Sequence, residues 1–207
     1  GDLVTLAHAV RRPRMASPRP PLAILLHGLG ADGQDLLGLA PWLDPRLVVV
    51  SARAPHEALP GGYSWFDIDW TEAAPRADLG HVLQSRDAIL RLAGETADAY
   101  GADPTRTWLV GFSQGATMAV ACAIARPDLF RGVVAHSGRV SRRILPDRPA
   151  PGVAGFPVLW LHGDADHPKP RAAVSRSRAS RSARSRSGSA SSISPPTDCR
   201  MSLPPVH

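Results

Sequence analysis

Cysteine is scarce in this 207-residue chain. Cys122 and Cys199 are the only two, which excludes a disulfide framework or a thiolate metal cage. Cys122 lies in an Ala-rich apolar stretch and reads as a small core residue rather than a reactive thiol. No apolar run approaches the ~18–20 residues of a membrane span. The start, Gly1-Asp2-Leu3, lacks the basic and then apolar stretch of an export signal, so the cytoplasm is the expected compartment. Aromatic residues make up only 5% of the chain, and all of them precede Leu161.

What is present divides at Pro168. The formal charge of +6 could suggest a nucleic-acid binder, but residues 1–168 carry 16 Arg against 17 Asp or Glu. Residues 169–207 carry eight Lys or Arg against a single Asp. The basic excess therefore belongs to the tail and says nothing about the partner of the folded body, because a steering field needs its charges on the surface in question. With 43% apolar and 20% charged residues, a chain of this length can bury one real core. Eighteen of the 39 residues from Lys169 onward are Ser or Arg, a polar, low-complexity texture that cannot build one. The expected organisation is a body over 1–168 and a disordered Ser/Arg-rich tail over 169–207.

Within the body, short continuous apolar runs alternate with helical patterns. Leu22–Leu26, Leu47–Val50, Thr107–Val110, Gly132–Ala135 and Val158–Leu161 read as buried parallel strands, each bounded by Gly, Pro or Asp. Gln34–Leu43, Leu79–Tyr100 and the Ala-rich Gln114–Ala125 read as helices, the second placing Val82, Leu83, Ile89, Leu90, Leu92 and Ala93 mainly on one face. Strands alternating with helices predict an α/β fold, a parallel sheet flanked by helices. The Gly- and Pro-rich connections over 51–77 and 138–156 are long enough to shape a site.

The strongest chemical signal is Gly111-Phe112-Ser113-Gln114-Gly115, between a strand and a helix. There G-x-S-x-G makes a nucleophile elbow: the glycines let a sharp turn close, and the serine hydroxyl is pushed out where the helix N-terminus favours negative charge. An ordinary N-cap serine in a tight turn is the alternative. His27-Gly28-Leu29-Gly30 ends the first strong strand, where a hydrolase of this architecture needs a backbone N–H for an oxyanion. The amides of Leu29 and Gln114 would be the two donors. His27 reads as a packing residue rather than a base, and Gly28 and Gly30 could be turn glycines. His162-Gly163-Asp164-Ala165-Asp166 closes the last strand and offers two carboxylates to orient an imidazole; a turn or capping role is the alternative for each.

Taken together, these residues resemble the phospholipase/carboxylesterase branch of the α/β-hydrolases, which includes acyl-protein thioesterases and small bacterial carboxylesterases. The resemblance is carried, in order, by His27-Gly-Leu-Gly-Ala-Asp-Gly33, Ser64-Trp-Phe-Asp-Ile68, Gly111-Phe-Ser-Gln-Gly115 and His162-Gly-Asp-Ala-Asp166. It implies a serine carboxylesterase or thioesterase acting on small acyl esters or thioesters through an acyl-enzyme, with no metal or organic cofactor. Ser113 is then the nucleophile, Leu29 and Gln114 the oxyanion donors, and Asp166 the triad acid with Asp164 as runner-up. The Ser64–Asp67 segment resembles the family's stretch beside the acyl pocket. Trp65 and Phe66 are thus substrate-binding candidates, with an aromatic plug under a long loop as the alternative. Dehalogenase and dienelactone-hydrolase chemistry, on the same fold, uses Asp or Cys where this chain has Ser113.

The departure lies at the C-terminal end. The resemblance expects a further helix and strand after the acid, then a histidine, and this chain has the Ser/Arg tail there. The C-terminal strand and helix are expected to be missing. Only His167 and His207 follow Asp166. His167 is adjacent to the acid, His207 sits in a Pro-rich end, and His136 reads as a loop or core residue, so the base is unassigned. A reading frame that slipped just after Asp166 accounts for the compositional break. The rival reading is a non-catalytic body with a basic nucleic-acid-binding tail over 169–207, against which stands the absence of aromatic residues for base stacking. An uncovered sheet edge predicts self-association.

Overall fold

The computed structural model describes residues 6–58, 61–71, 75–146, 148 and 150–163. In chain order the strands and helices are β1 (His8–Arg11), β2 (Leu22–Leu26), β3 (Val48–Ala52), β4 (His56–Glu57), β5 (Tyr63–Ser64), β6 (Ile68–Asp69), β7 (Arg76–Ala77), α1 (Leu79–Tyr100), β8 (Thr107–Phe112), α2 (Gln114–Ala125), β9 (Gly132–His136) and β10 (Val158–Leu161). Six strands form one sheet in the order β1-β3-β2-β8-β9-β10. All neighbours in it run parallel except β1, which is antiparallel to β3. The fold is an α/β-hydrolase-type parallel sheet flanked by helices.

The continuous apolar runs become central strands because both sheet faces are covered. Leu22, Ile24 and Leu26 join Val48, Val50 and Leu109 in a core packed against α1 and α2, while Ala23, Leu25 and Val49 point to the opposite face beside Ala40 and Leu47. Helix α2 is buried over Gln114–Ala123, as its all-round apolar composition requires. Helix α1 begins at Asp78, whose side chain accepts from the His81 N–H at 3.0 Å, and ends at Gly101 with φ 64°. Its buried stripe is Val82, Ser85, Ala88, Ile89, Leu92, Ala93, Thr96 and Ala97. Leu83, expected on that face, is exposed, because it projects about 100° from Val82 on the side away from Ser85 and Ala88, beyond the edge of the stripe.

Three further differences from the sequence reading have local causes. The segment Asp35–Trp42 is a 3-10 helix rather than an α-helix, with Pro41 inside it, where the ring removes a donor and crowds the preceding turn. The first strand, His8–Arg11, carries too short a pattern to read. The 51–77 connection is not bare loop: β4 pairs with β5 and β6 with β7 as two small antiparallel ribbons. At the other end β10 closes the described sheet, with Leu159 and Leu161 exposed. The expected loss of a strand and helix after it falls outside the described residues. No described helix is long and apolar enough to cross a membrane.

Candidate active site

Strand β8 hands over to α2 at Ser113, which adopts φ 52° and ψ −113°. A side chain in this region of backbone space is strained, and such strain persists only where the surroundings impose it. Here they do. The Ser113 N–H donates to the His136 carbonyl at 2.8 Å, tying the elbow to the end of β9, while the Ser113 carbonyl accepts from Ala116 and Thr117 at 3.1 and 3.2 Å. Although Ser113 occupies the N-cap position, its side chain makes no capping hydrogen bond. That separates it from an ordinary N-cap serine, whose oxygen is spent on the helix amides.

Two glycines make the turn possible. A Cβ on Gly111 would strike the Gly115 carbonyl and lie 2.5 Å from Ala116 Cα. On Gly115 a Cβ would run into the Leu26 carbonyl oxygen and come within 2.5 Å of the His27 oxygen. The start of α2 therefore rests directly on the end of β2. A Cβ on Gly28 would lie 3.4 Å from that of Ser113, so the loop after β2 passes beside the hydroxyl-bearing residue.

That loop is a tight turn. The Ala31 N–H donates to the Gly28 carbonyl at 3.3 Å with Gly30 at φ 80°, and the Gly30 N–H reaches the Tyr63 carbonyl at 2.9 Å. Leu29, at its tip, is exposed. Among the described residues neither the Leu29 nor the Gln114 N–H is taken by a protein acceptor. The Gln114 N–H is thus open at the positive end of the α2 dipole, and the Leu29 N–H is open on the loop whose Gly28 lies beside Ser113.

His27 is fully buried. Its Nδ1 donates to the Gly28 carbonyl at 2.7 Å and its Nε2 accepts from the Ala54 N–H at 3.0 Å. Burial pulls its pKa below the ordinary imidazole range, and the hydrogen bond to Gly28 only partly offsets this. A neutral ring with both nitrogens engaged is a structural pin and not a general base.

Trp65 has no exposed surface and Phe66 is buried. The Trp65 indole N–H donates to the His27 carbonyl at 2.9 Å, and the Trp65 carbonyl accepts from Ser85 Oγ at 2.6 Å. Of the two readings of Trp65, burial favours the aromatic plug, since no face is left to touch a substrate. Sequence reasoning missed the side chain of Gln114, which is also buried. Its Oε1 accepts from the Trp65 N–H at 2.7 Å and its Nε2 donates to the Phe66 carbonyl at 2.6 Å. The one available signal was a long amide side chain at the head of an otherwise Ala-rich helix.

His136 is exposed at the end of β9 and stacks on Phe112, ring centroids 5.4 Å apart. His162 follows β10, with its Nδ1 buried and unpartnered among the described residues. Asp164, Asp166, His167 and His207 lie outside the described residues, so the acid assigned to the triad has no geometry here.

A model of the phospholipase/carboxylesterase family matches residues 9–184. The chain is 30% identical over 181 residues to acyl-protein thioesterase 1 of Eremothecium gossypii, covering 81% of this chain and 77% of that protein. It is 31% identical over 157 residues to acyl-protein thioesterase 1 of Saccharomyces cerevisiae, covering 69% of each. Among solved structures, esterase PE8 superposes with a TM-score of 0.64 at 29% identity, over 78% of this chain and 76% of that one. A Mesorhizobium loti carboxylesterase shares the fold with a TM-score of 0.65 at 24% identity, over 80% and 76% of the two chains.

Proposed function

From the premise that this chain belongs to the phospholipase/carboxylesterase family, whose members hydrolyse esters and thioesters, we propose that it cleaves small acyl esters or thioesters with Ser113 as nucleophile. Ser113 Oγ attacks the acyl carbonyl as its proton passes to a base. The oxygen of the tetrahedral intermediate takes up hydrogen bonds from the Leu29 and Gln114 amides, and the alcohol or thiol leaves to give an acyl-serine. Water then releases the acid and restores the hydroxyl. Asp166 is assigned the acid role that orients the base. His27 is not that base, because both of its nitrogens are held within the fold.

The observation that carries this reading is the strained Ser113 backbone with a side chain excused from capping. Ser137 shares the φ of 52°, but Ser113 combines that φ with ψ −113°, outside the left-handed helical well, where glycine would be unstrained. The two donors carry a substantial share of the expected acceleration, since each oxyanion-hole donor in a serine hydrolase is worth about 10²–10³ in rate. Incubation with a fluorophosphonate probe, followed by peptide mapping, tests the proposal. It stands if the adduct maps to Ser113 and vanishes in Ser113→Ala, and it fails if folded protein is left unlabelled or the adduct maps elsewhere.

A further inference from the structure

The two amides assigned to the oxyanion belong to segments far apart in the chain, and a single buried network joins them. Gln114 supplies one N–H from its backbone while its side chain grips Trp65 and Phe66 through main-chain hydrogen bonds of 2.7 and 2.6 Å. Ser64 Oγ completes the grip: it donates to the Phe66 carbonyl at 2.6 Å and accepts from Gln114 Nε2 at 3.2 Å. The indole of Trp65 then reaches the His27 carbonyl at 2.9 Å, two residues before Leu29, which supplies the other N–H. His27 is itself pinned to Gly28 and Ala54. Every polar atom of the Gln114 side chain is paired in a site closed to water, the condition under which a polar network stiffens rather than weakens a core.

We infer that the Gln114 side chain, acting through Trp65, is a positioning residue that holds the Leu29 and Gln114 amides in convergent orientation. This rests on the reading of Ser113 as nucleophile and deepens it. The Ser64–Phe66 segment then serves the reaction without touching substrate. The physical requirement is preorganisation: donors that must reorient when charge develops contribute far less than donors already aimed.

Two near-isosteric substitutions test it, read by kcat and KM on p-nitrophenyl butyrate and by the rate of fluorophosphonate labelling. Gln114→Met leaves the Trp65 N–H unpaired and the Phe66 carbonyl with Ser64 Oγ as its remaining donor, and kcat and the labelling rate are expected to fall about 10- to 100-fold with KM within about threefold. Gln114→Glu places a carboxyl there which, protonated, reproduces both an acceptor and a donor. It is expected to approach wild-type kcat at lower pH and to lose it as the buried acid ionises, adding a descending limb that neither wild type nor Gln114→Met shows.

Thr96→Val is the stability-matched control, removing the buried Oγ1 hydrogen bond to the Leu92 carbonyl, 2.6 Å, on the far part of α1. A merely structural Gln114 would behave like Thr96, lowering the melting temperature with kcat retained. The inference is overturned if Gln114→Met keeps kcat within about threefold of wild type, or if Gln114→Glu shows no added limb. Both results leave the nucleophile assignment intact, provided wild-type Ser113 is labelled. An unlabelled wild type removes the assignment and this inference together.

Discussion

Replacing Gly115 by alanine is the most direct perturbation of the elbow. An added Cβ would meet the Leu26 carbonyl oxygen head-on and stand 2.5 Å from the His27 oxygen, whereas ordinary contact begins at 3.4 Å. Both obstacles are backbone atoms, so neither can swing aside as a side-chain tip could. Relief requires the first turn of α2 to retreat from the end of β2 by more than 0.9 Å, the shortfall at the His27 oxygen, because the Leu26 oxygen is nearer still. Overpacking of this kind costs about 1–3 kcal/mol. A misplacement of about 1 Å in a catalytic constellation costs roughly 10²-fold in rate. Gly115→Ala should therefore lose about 2 kcal/mol in urea denaturation and about two orders of magnitude in kcat/KM with an ester substrate. Gly30→Ala is the contrast: its Cβ would meet nothing within 4 Å, and only the φ of 80° opposes it. That change should cost about 1–2 kcal/mol through backbone strain alone. If Gly115→Ala proves as stable and as active as the unaltered chain, α2 does not rest on β2 as described and the steric reasoning is wrong.

Other outcomes follow from the buried polar groups. His27→Leu removes a pin and leaves the Ala54 N–H unpaired in the core, with the Gly28 carbonyl keeping only the longer bond from the Ala31 N–H. Chemical denaturation should register a loss of about 1–3 kcal/mol; a loss under about 0.5 would show that the Ala54 N–H finds another partner. Burial holds both His27 and His56 below the ordinary imidazole value of 6.5, and the stacked His81 ring lowers His56 further. A group lowered in the fold takes its proton first in the unfolded chain, so the stability it provides is full above 6.5 and drains as pH falls through the lowered folded values. Melting temperature should be flat from pH 8 to about 7 and decline below about 6.5, with a shallower decline in His56→Gln; a flat profile down to pH 5 would refute this. Burial pushes the Cys122 thiol far above its ordinary range. Mass-spectrometric mapping should find Cys122 unmodified by a thiol reagent in the native protein and modified after denaturation, and rapid native modification would contradict its placement.

Continuous apolar runs such as Leu22–Leu26 announced central strands because parallel strands are buried on both faces, and the period of α1 announced its buried stripe. The elbow was legible for the same reason: Gly111, Ser113 and Gly115 are neighbours in sequence, and a turn is a local object. The helix read over 34–43 leaves Pro41 out of account, and the segment Asp35–Trp42 is 3-10.

The role of the Gln114 side chain and the choice between the two readings of Trp65 were not legible, whereas His27 reads as a packing residue and is one. Trp65 is 49 residues from the amide that grips its N–H and 38 from the carbonyl that receives its indole. Whether an aromatic residue lines a pocket or plugs the core, and what a buried amide side chain grips, depends on partners that the topology delivers and that no periodicity encodes. The sequence by itself determined the parallel strands, the helices α1 and α2 and the turn at Ser113, because those follow from steric and hydrophobic preferences of adjacent residues. Only the tertiary structure decided how the loop after β2 and the head of α2 are locked together, because that lock is built from hydrogen bonds between segments brought into contact by the sheet.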